Sequence, residues 1–390
     1  MRVLFLTEHD PLDMTYGGGQ RTHFIWEALC QVSNVVETVL PVSREAFESY
    51  DATNHIRRMC LTKRYSLRWF MSRLCLFMFK RFRFPGVESL NRINDFYQEP
   101  FDVIVVRYPG VASRYAAWKV APLVIDVDDV PTQSFETNWI GSRGVKFRVC
   151  YVMLKKWQEF VFKKATMLWV ANPENKMMMP SNVKVSTLPN IPRKDHPSYS
   201  EYVSPDYYVF YLGCLAGQAE DVGIDYVLNH YWPNIHARYP NLTFKIGGSH
   251  LPETYKRKWS SFPNVEVLGF VDDLNGLYRN ARAMLAPIYA GAGTAIKVRE
   301  CLTYGRVCIG SPFAWRGSHV KSSAAICYEN EEQLMAAISK IFDDEWLLAA
   351  QKDGVRAAEA NFSMDDFCHA VRKTLESVVN DDNARPSVAT

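Results

Sequence analysis

Ala286-Pro-Ile-Tyr-Ala-Gly-Ala-Gly-Thr-Ala-Ile-Lys-Val-Arg-Glu300 is the stretch whose reading decides the fold. A short apolar run, residues 283–286, ends where it begins, and Gly291 and Gly293 permit a tight loop. Residues 295–304 then follow a helical pattern. Strand, glycine loop and helix in immediate succession are part of a βαβ unit. Because the helix follows the loop at once, its first backbone N–H groups point back into the loop and offer a place for an anion. Lys297 lies in the first turn, within reach of a diphosphate, and Glu300 follows three residues later on the same face. A carboxylate one turn from an anion place is well set for ribose hydroxyls. Read without a ligand, the same residues make a glycine turn with a surface lysine and glutamate.

Outward from this segment the same alternation continues. Residues 3–6, 35–40, 101–106, 122–127 and 167–171 read as strands in the first half, with helices over 22–31, 111–119 and 146–164 and a glycine loop at 17–19. In the second half 207–212, 242–246, 265–268, 283–286, 307–309 and 324–328 read as strands, with helices at 225–237, 255–260, 274–281, 295–304, 332–342 and 345–360. Continuous apolar strands alternating with helices predict parallel sheets covered on both faces. The 390 residues suffice for two such domains. Residues 189–205, with four prolines and no period, read as the linker between a first domain, 1–188, and a second, 206–362. Residues 363–380 read as a last helix packing back on the first domain, and 381–390 as a disordered tail.

The formal charge of +3 hides a strong asymmetry. Residues 52–87 hold nine bases, from Arg57 to Arg83, and no acid; residues 142–165 hold seven, from Arg143 to Lys164, against Glu159 alone. The rest of the chain is therefore net negative. Residues 64–83 are amphipathic, with Leu67, Phe70, Met71, Leu74, Phe77 and Met78 on one stripe. Basic amphipathic helices suit an anionic membrane surface, so Arg57–Arg83 and Arg143–Lys164 are both expected to face one; for residues 64–83 a core-packed helix with a solvated basic side is the alternative. No nucleic-acid motif accompanies the bases, so no nucleic-acid partner is expected. The nine cysteines are odd in number and form no CxxC pair or zinc spacing, as expected of free thiols in a reducing cytosol. The N-terminal apolar run is too short for a signal peptide, and no run is long enough to span a bilayer.

The stretch from Gly291 to Ser311 resembles the donor-site signature of the glycosyl transferases group 1 family. In that family a Gly-rich loop is followed by a Lys-x-x-Glu helix, a glycine and a buried strand. Val265-Glu-Val-Leu-Gly-Phe-Val-Asp-Asp-Leu274, Tyr211-Leu-Gly-Cys-Leu215, Thr187-Leu-Pro-Asn190 and Gly17-Gly-Gly-Gln-Arg21 are similar to further segments of the family, in its order. The resemblance implies the GT-B fold, in which two Rossmann-like α/β domains with parallel sheets face a central cleft. It implies a retaining transfer from a UDP- or GDP-linked sugar, without a cofactor or bound metal, to a glycan or lipid-linked acceptor. By position, Glu300 would hold the donor ribose, and Lys297 would offset diphosphate charge. Gly291, Gly293 and Thr294 would offer backbone groups to sugar and phosphates. Gly213 would end the first strand of the donor domain, and Gly18 and Gly19 would close over donor or acceptor from the other side. Asp128, with neighbours Asp126 and Asp129, stands where many members keep a His or Asp beside the reacting sugar; a helix cap or turn is the other reading of these aspartates.

Two departures stand out. Ala292 takes the place of the first glutamate of the family's Glu-x7-Glu, and residues 214–231 lack the Arg and Lys that many members keep after Gly213. Lys297, Arg299 or Arg316 are the available substitutes. These features imply a cytoplasmic glycosyltransferase of surface polysaccharide or glycoconjugate synthesis, peripheral at the inner membrane face. A non-catalytic scaffold derived from such an enzyme and a nucleotide-sugar epimerase are the rivals.

Overall fold

The computed structural model describes residues 1–41, 49–59, 99–139, 144–193, 202–215 and 219–383. The basic stretch from Lys63 to Arg83, and Arg143, lie outside them. The chain divides into two compact units. Met1–Phe135, Trp139–Pro189 and Met364–Thr390 form one; Glu136–Asn138 and Asn190–Ser363 form the other.

The first unit is built on β1 (Arg2–Leu6), β2 (Val35–Pro41), β3 (Ser49–Asp51), β4 (Ile56–Met59), β5 (Val103–Arg107), β6 (Leu123–Val127), β7 (Met167–Val170) and β8 (Lys184–Thr187), in the order β3-β4-β2-β1-β5-β6-β7-β8. Only β3 runs antiparallel to its neighbour. Every residue of β5 and β6 is buried, as befits strands covered on both faces. Helix α1 (Gly17–Val32) starts at the first glycine rather than after a glycine loop. Close approach explains the glycine at 19: a Cβ there would lie 2.1 Å from the Asp13 carbonyl oxygen. The expected helix over 111–119 is broken. Helix α2 (Pro109–Arg114) stops, Ala116 turns left-handed at φ 50°, and a 3-10 turn follows at Ala117–Lys119. Helices α3 (Pro131–Asn138) and α4 (Val145–Phe162) lead from β6 back to β7.

The second unit holds a fully parallel sheet of β9 (Tyr208–Cys214), β10 (Thr243–Ser249), β11 (Val265–Gly269), β12 (Ala283–Ala286), β13 (Val307–Gly310) and β14 (Ala325–Cys327), in the order β11-β10-β9-β12-β13-β14. The helix expected over 225–237 is two, α5 (Ala219–His230) and α6 (Trp232–Arg238), because Pro233 at the start of the second removes a backbone donor. Then follow α7 (Glu253–Trp259), α8 (Leu274–Arg279), α9 (Ile296–Thr303), α10 (Glu331–Lys340) and α11 (Asp344–Asn361).

The order of strands places the crevices. From β9 the chain adds β10 and β11 on one side and returns to lay β12 on the other, so direction reverses between β9 and β12. These two pair only at Ala283↔Val209 and Met284↔Phe210, and their carboxyl ends part. In the first unit the reversal lies between β1 and β5. Such reversal points are where α/β sheets take ligands.

Helix α12 (Met364–Asn383) closes the chain within the first unit, against α1. Phe367, Cys368, Val371, Leu375 and Val378 recur at helical spacing and are buried. Trp169 Nε1 donates to Thr374 Oγ1 at 3.1 Å. The helix runs on past residue 380 to Asn383, and residues 384–390 lie outside those described.

Candidate functional site

At the parted ends of β9 and β12, the loop after Ala286 turns through Gly291 at φ 147° and Gly293 at φ 63°. Both angles lie where side chains are disfavoured. Arg316 holds the loop from outside: Nε donates to Gly293 O at 2.8 Å, Nη2 to Ala292 O at 2.7 Å and Nη1 to Phe313 O at 2.8 Å. A Cβ on Gly291 would sit 3.0 Å from the same guanidinium. The structure thus places Arg316 on the loop's carbonyls, as a clamp on its shape. Arg299 is buried and equally engaged, donating to Asn190 O, to Gly317 O at 2.6 Å and to Ser318 Oγ at 3.2 Å.

Helix α9 begins immediately after the loop, with extended Ala295 as its cap residue and no side-chain cap. Lys297 reaches across the gap to β9, where Nζ donates to the Tyr211 hydroxyl at 2.7 Å and lies 4.5 Å from the ring centre. Glu300, one turn on, accepts from the Tyr278 hydroxyl at 3.3 Å. Tyr278 is buried and stacked on Tyr304 with centroids 4.0 Å apart. Burial first, then the Glu300 charge, push the Tyr278 phenol well above its ordinary pKa, so it stays a donor to that carboxylate. Thr294 Oγ1 accepts from Asn190 Nδ2 at 2.8 Å. Gly213 pairs in register with Gly248, where a Cβ would be 2.0 Å from Gly213 O. The ends of β9 and β10 therefore form a bare backbone ledge. Gly213, Gly291, Gly293, Thr294, Lys297, Glu300 and Arg316 all belong to this carboxyl-end region of the second sheet.

In the first unit the register of β5 on β6 sets Arg107 beside Asp126. Asp126 is wholly buried and takes bonds from Arg107 and from Arg21 of α1, the latter through Nε at 3.0 Å. Burial alone would raise its pKa; the two arginines outweigh burial and hold it below the usual carboxylate value. Asp128 follows two residues later, mostly buried, with Arg107 Nη2 at 3.4 Å and Arg21 Nε at 3.8 Å. Arg107 also donates to Thr22 Oγ1 at 3.1 Å, Tyr108 OH at 2.9 Å and Gly18 O at 3.3 Å, which ties the start of α1 to the strand ends. Gly18 leaves room for the Tyr108 hydroxyl, 3.2 Å from where its Cβ would be. Tyr108 itself sits at φ 68° before Pro109, a strained backbone at the end of β5. His9, after β1, faces this ring at 5.3 Å and bonds Tyr16 OH through Nδ1. Its burial, with the Arg107 charge added, lowers its pKa.

From sequence, Asp128, Gly18 and Gly19 are expected at a site; Arg21, Tyr211 and Asn190 appear there only within similar segments, without a role, and Arg107, Tyr108, His9 and Tyr278 do not appear. A signal was present in two of them: apolar β5 ends in Arg-Tyr-Pro, and charge at the end of a buried strand calls for a partner. Asn190, inside the expected linker, is anchored in the second unit, whereas Leu188 O accepts from Arg21 in the first at 2.9 Å. Among the described residues no group of three or more His, Cys, Asp or Glu side chains could hold a metal ion, and the seven cysteines are free thiols.

Residues 206–344 match the model of the family described as glycosyl transferases group 1. Sucrose-phosphate synthase from Thermosynechococcus elongatus superposes with a TM-score of 0.73 at 12% identity, over 98% of this chain and 100% of that one. TarM does so at 0.67 and 9% identity, over 97% and 99%. HepE from Anabaena, in complex with UDP, does so at 0.65 and 12%, over 97% and 100%. No curated protein matches the sequence. Residues 206–344 are thus similar to the glycosyl transferases group 1 family, and over its length the chain has the GT-B fold.

Proposed function

We propose that the protein moves a sugar from a nucleotide-diphosphate donor, UDP- or GDP-linked, to a glycan or lipid-linked acceptor, with retention at the anomeric carbon. The observation that carries this reading is the positive-φ glycine loop running straight into α9, with Lys297 and Glu300 on its first turns at the reversal point of the sheet. The related fold of HepE, known in complex with UDP and with UDP-glucose, supports a donor of that class. Glycoconjugate or surface polysaccharide synthesis at the inner face of a membrane fits a lipid-linked acceptor. Among the described residues no helix is long and apolar enough to cross a bilayer.

In this reading the N–H groups of the loop and of α9 take the diphosphate, and Lys297 adds the mobile charge that grows in importance as the sugar leaves. Arg299 and Arg316 act as positioning residues, since both are bonded to main-chain oxygens. Glu300, held by Tyr278, accepts the ribose hydroxyls. The departing phosphate takes the proton of the acceptor hydroxyl on the same face. By its place in the family pattern Asp128, held by Arg21 and Arg107, is assigned to the reacting sugar, and Gly18 and Gly19 to its approach; no cofactor or metal is used.

The test is donor hydrolysis by the purified protein with UDP-, GDP- and ADP-sugars, wild type against Glu300→Ala. Slow release of one nucleotide, lost in the variant, is expected. Absence of both turnover and nucleotide binding, with a lipid-bearing membrane extract supplied, would leave the scaffold reading, which Ala292 and the engaged arginines favour.

A further inference from the structure

Helix α4 carries two apolar faces, and among the described residues only one is covered. Phe147, Cys150, Leu154, Gln158 and Val161 form the buried stripe. Along it Trp157 Nε1 donates to Ser113 Oγ at 3.1 Å, and Gln158 Oε1 accepts from Thr132 N at 3.0 Å. At about 100° per residue, Val145, Val149, Val152 and Phe160 fall in one sector of roughly 80° on the opposite side. They are 79%, 47%, 49% and 52% exposed. A helix that serves only to cover a sheet has no reason to present valines and a phenylalanine to water.

The charges on this outer face are almost all of one sign. Lys156 and Lys163 lie within the apolar sector, Arg148 and Lys155 border it on one side, and Lys146 on the other. Glu159 is the single acid of the helix, and it is exposed beside Lys163 at 2.7 Å. Lys164 Nζ lies 5.5 Å from the Phe160 ring centre, and that ring meets Trp118 edge-on at 5.9 Å. Long basic side chains beside an exposed apolar stripe are what an interfacial helix needs. The stripe sinks among acyl chains while the cations extend to the headgroups.

We infer that the outer face of α4 docks the first unit on an anionic lipid surface. Charge selects the occupant: the cations match acidic headgroups, and the valines would gain nothing from a phosphate backbone of nucleic acid. This docking stands apart from the assignment of the donor, because it is read without turnover.

The test uses the full chain in co-sedimentation with vesicles of phosphatidylcholine, alone or mixed with phosphatidylglycerol. Binding to the mixed vesicles is expected to exceed that to phosphatidylcholine by at least about tenfold. Val149→Glu with Val152→Glu should lower it by at least about tenfold. Both positions are exposed, so circular dichroism and the unfolding midpoint should match wild type. Lys155→Gln with Lys156→Gln should weaken binding several-fold and make it fail at lower salt. Equal binding by wild type and the valine variant would overturn the inference, since the contact would then lie elsewhere. So would equal binding to both vesicle types, or a wild-type oligomer that the valine variant dissociates, which would make this face an interface between copies.

Discussion

Asp126 is the residue on which the first unit's polar core turns. Two guanidiniums and one carboxylate are wholly buried there, and removing the carboxylate leaves uncompensated charge. Asp126→Asn should therefore cost about 3–5 kcal/mol, measured by urea unfolding at neutral pH. The pH dependence has a definite sign. Because the folded pKa is depressed, the carboxylate's contribution is complete above the ordinary value of about 3.9 and is lost as pH falls below it toward the folded value. The wild type should lose stability below about pH 4, and the asparagine variant should lack that part of the decline. In the second unit Tyr278→Phe removes the bond to Glu300 without opening a cavity. A loss of about 1 kcal/mol of donor affinity is expected, near a fivefold rise in KM with kcat little changed. An unchanged KM would show that Glu300 needs no support from the tyrosine.

At the scale of elements, the loop before α9 is a shape held by two glycines and one arginine. Gly293→Ala forces a side chain into φ 63° and should cost about 1–2 kcal/mol of stability and weaken nucleotide binding in calorimetry. Arg316→Ala removes three bonds to backbone carbonyls. It should raise the donor KM while leaving the unfolding midpoint of the first unit untouched. Were Arg316 instead a direct phosphate ligand, Arg316→Lys would restore most of the affinity. As a clamp it should not, because a lysine cannot span the carbonyls of Ala292, Gly293 and Phe313. The start of α1 is more rigidly fixed: Gly19→Ala drives a methyl group into the Asp13 carbonyl. About 1–3 kcal/mol or more is expected from overpacking.

For the whole molecule, α12 makes the first unit discontinuous in sequence, since residues after Ser363 complete a structure begun at Met1. Leu375→Ala should cost about 2–5 kcal/mol. In scanning calorimetry only one of two transitions should move, because the second unit has its own sheet and core; a shift of both would mean that the units unfold together. The sequence by itself determined the class of fold and the glycine loop before α9. Apolar strands alternating with helices permit only a covered parallel sheet, and a glycine pair between strand and helix is a local signal. Helix boundaries set by Pro233 and by the start of α1 were less well resolved, and the short polar strands β3, β4 and β8 carry too little hydrophobic pattern to be seen. What only the tertiary structure decided is which charges the protein's own groups hold. Arg299 and Arg316 read as free cations in a linear chain, yet they end on main-chain oxygens. Arg21, Arg107 and Asp126 are separated by up to 105 positions and meet only through strand register and helix packing. Burial decides their partners, because a desolvated charge must find its opposite wherever the fold has brought it.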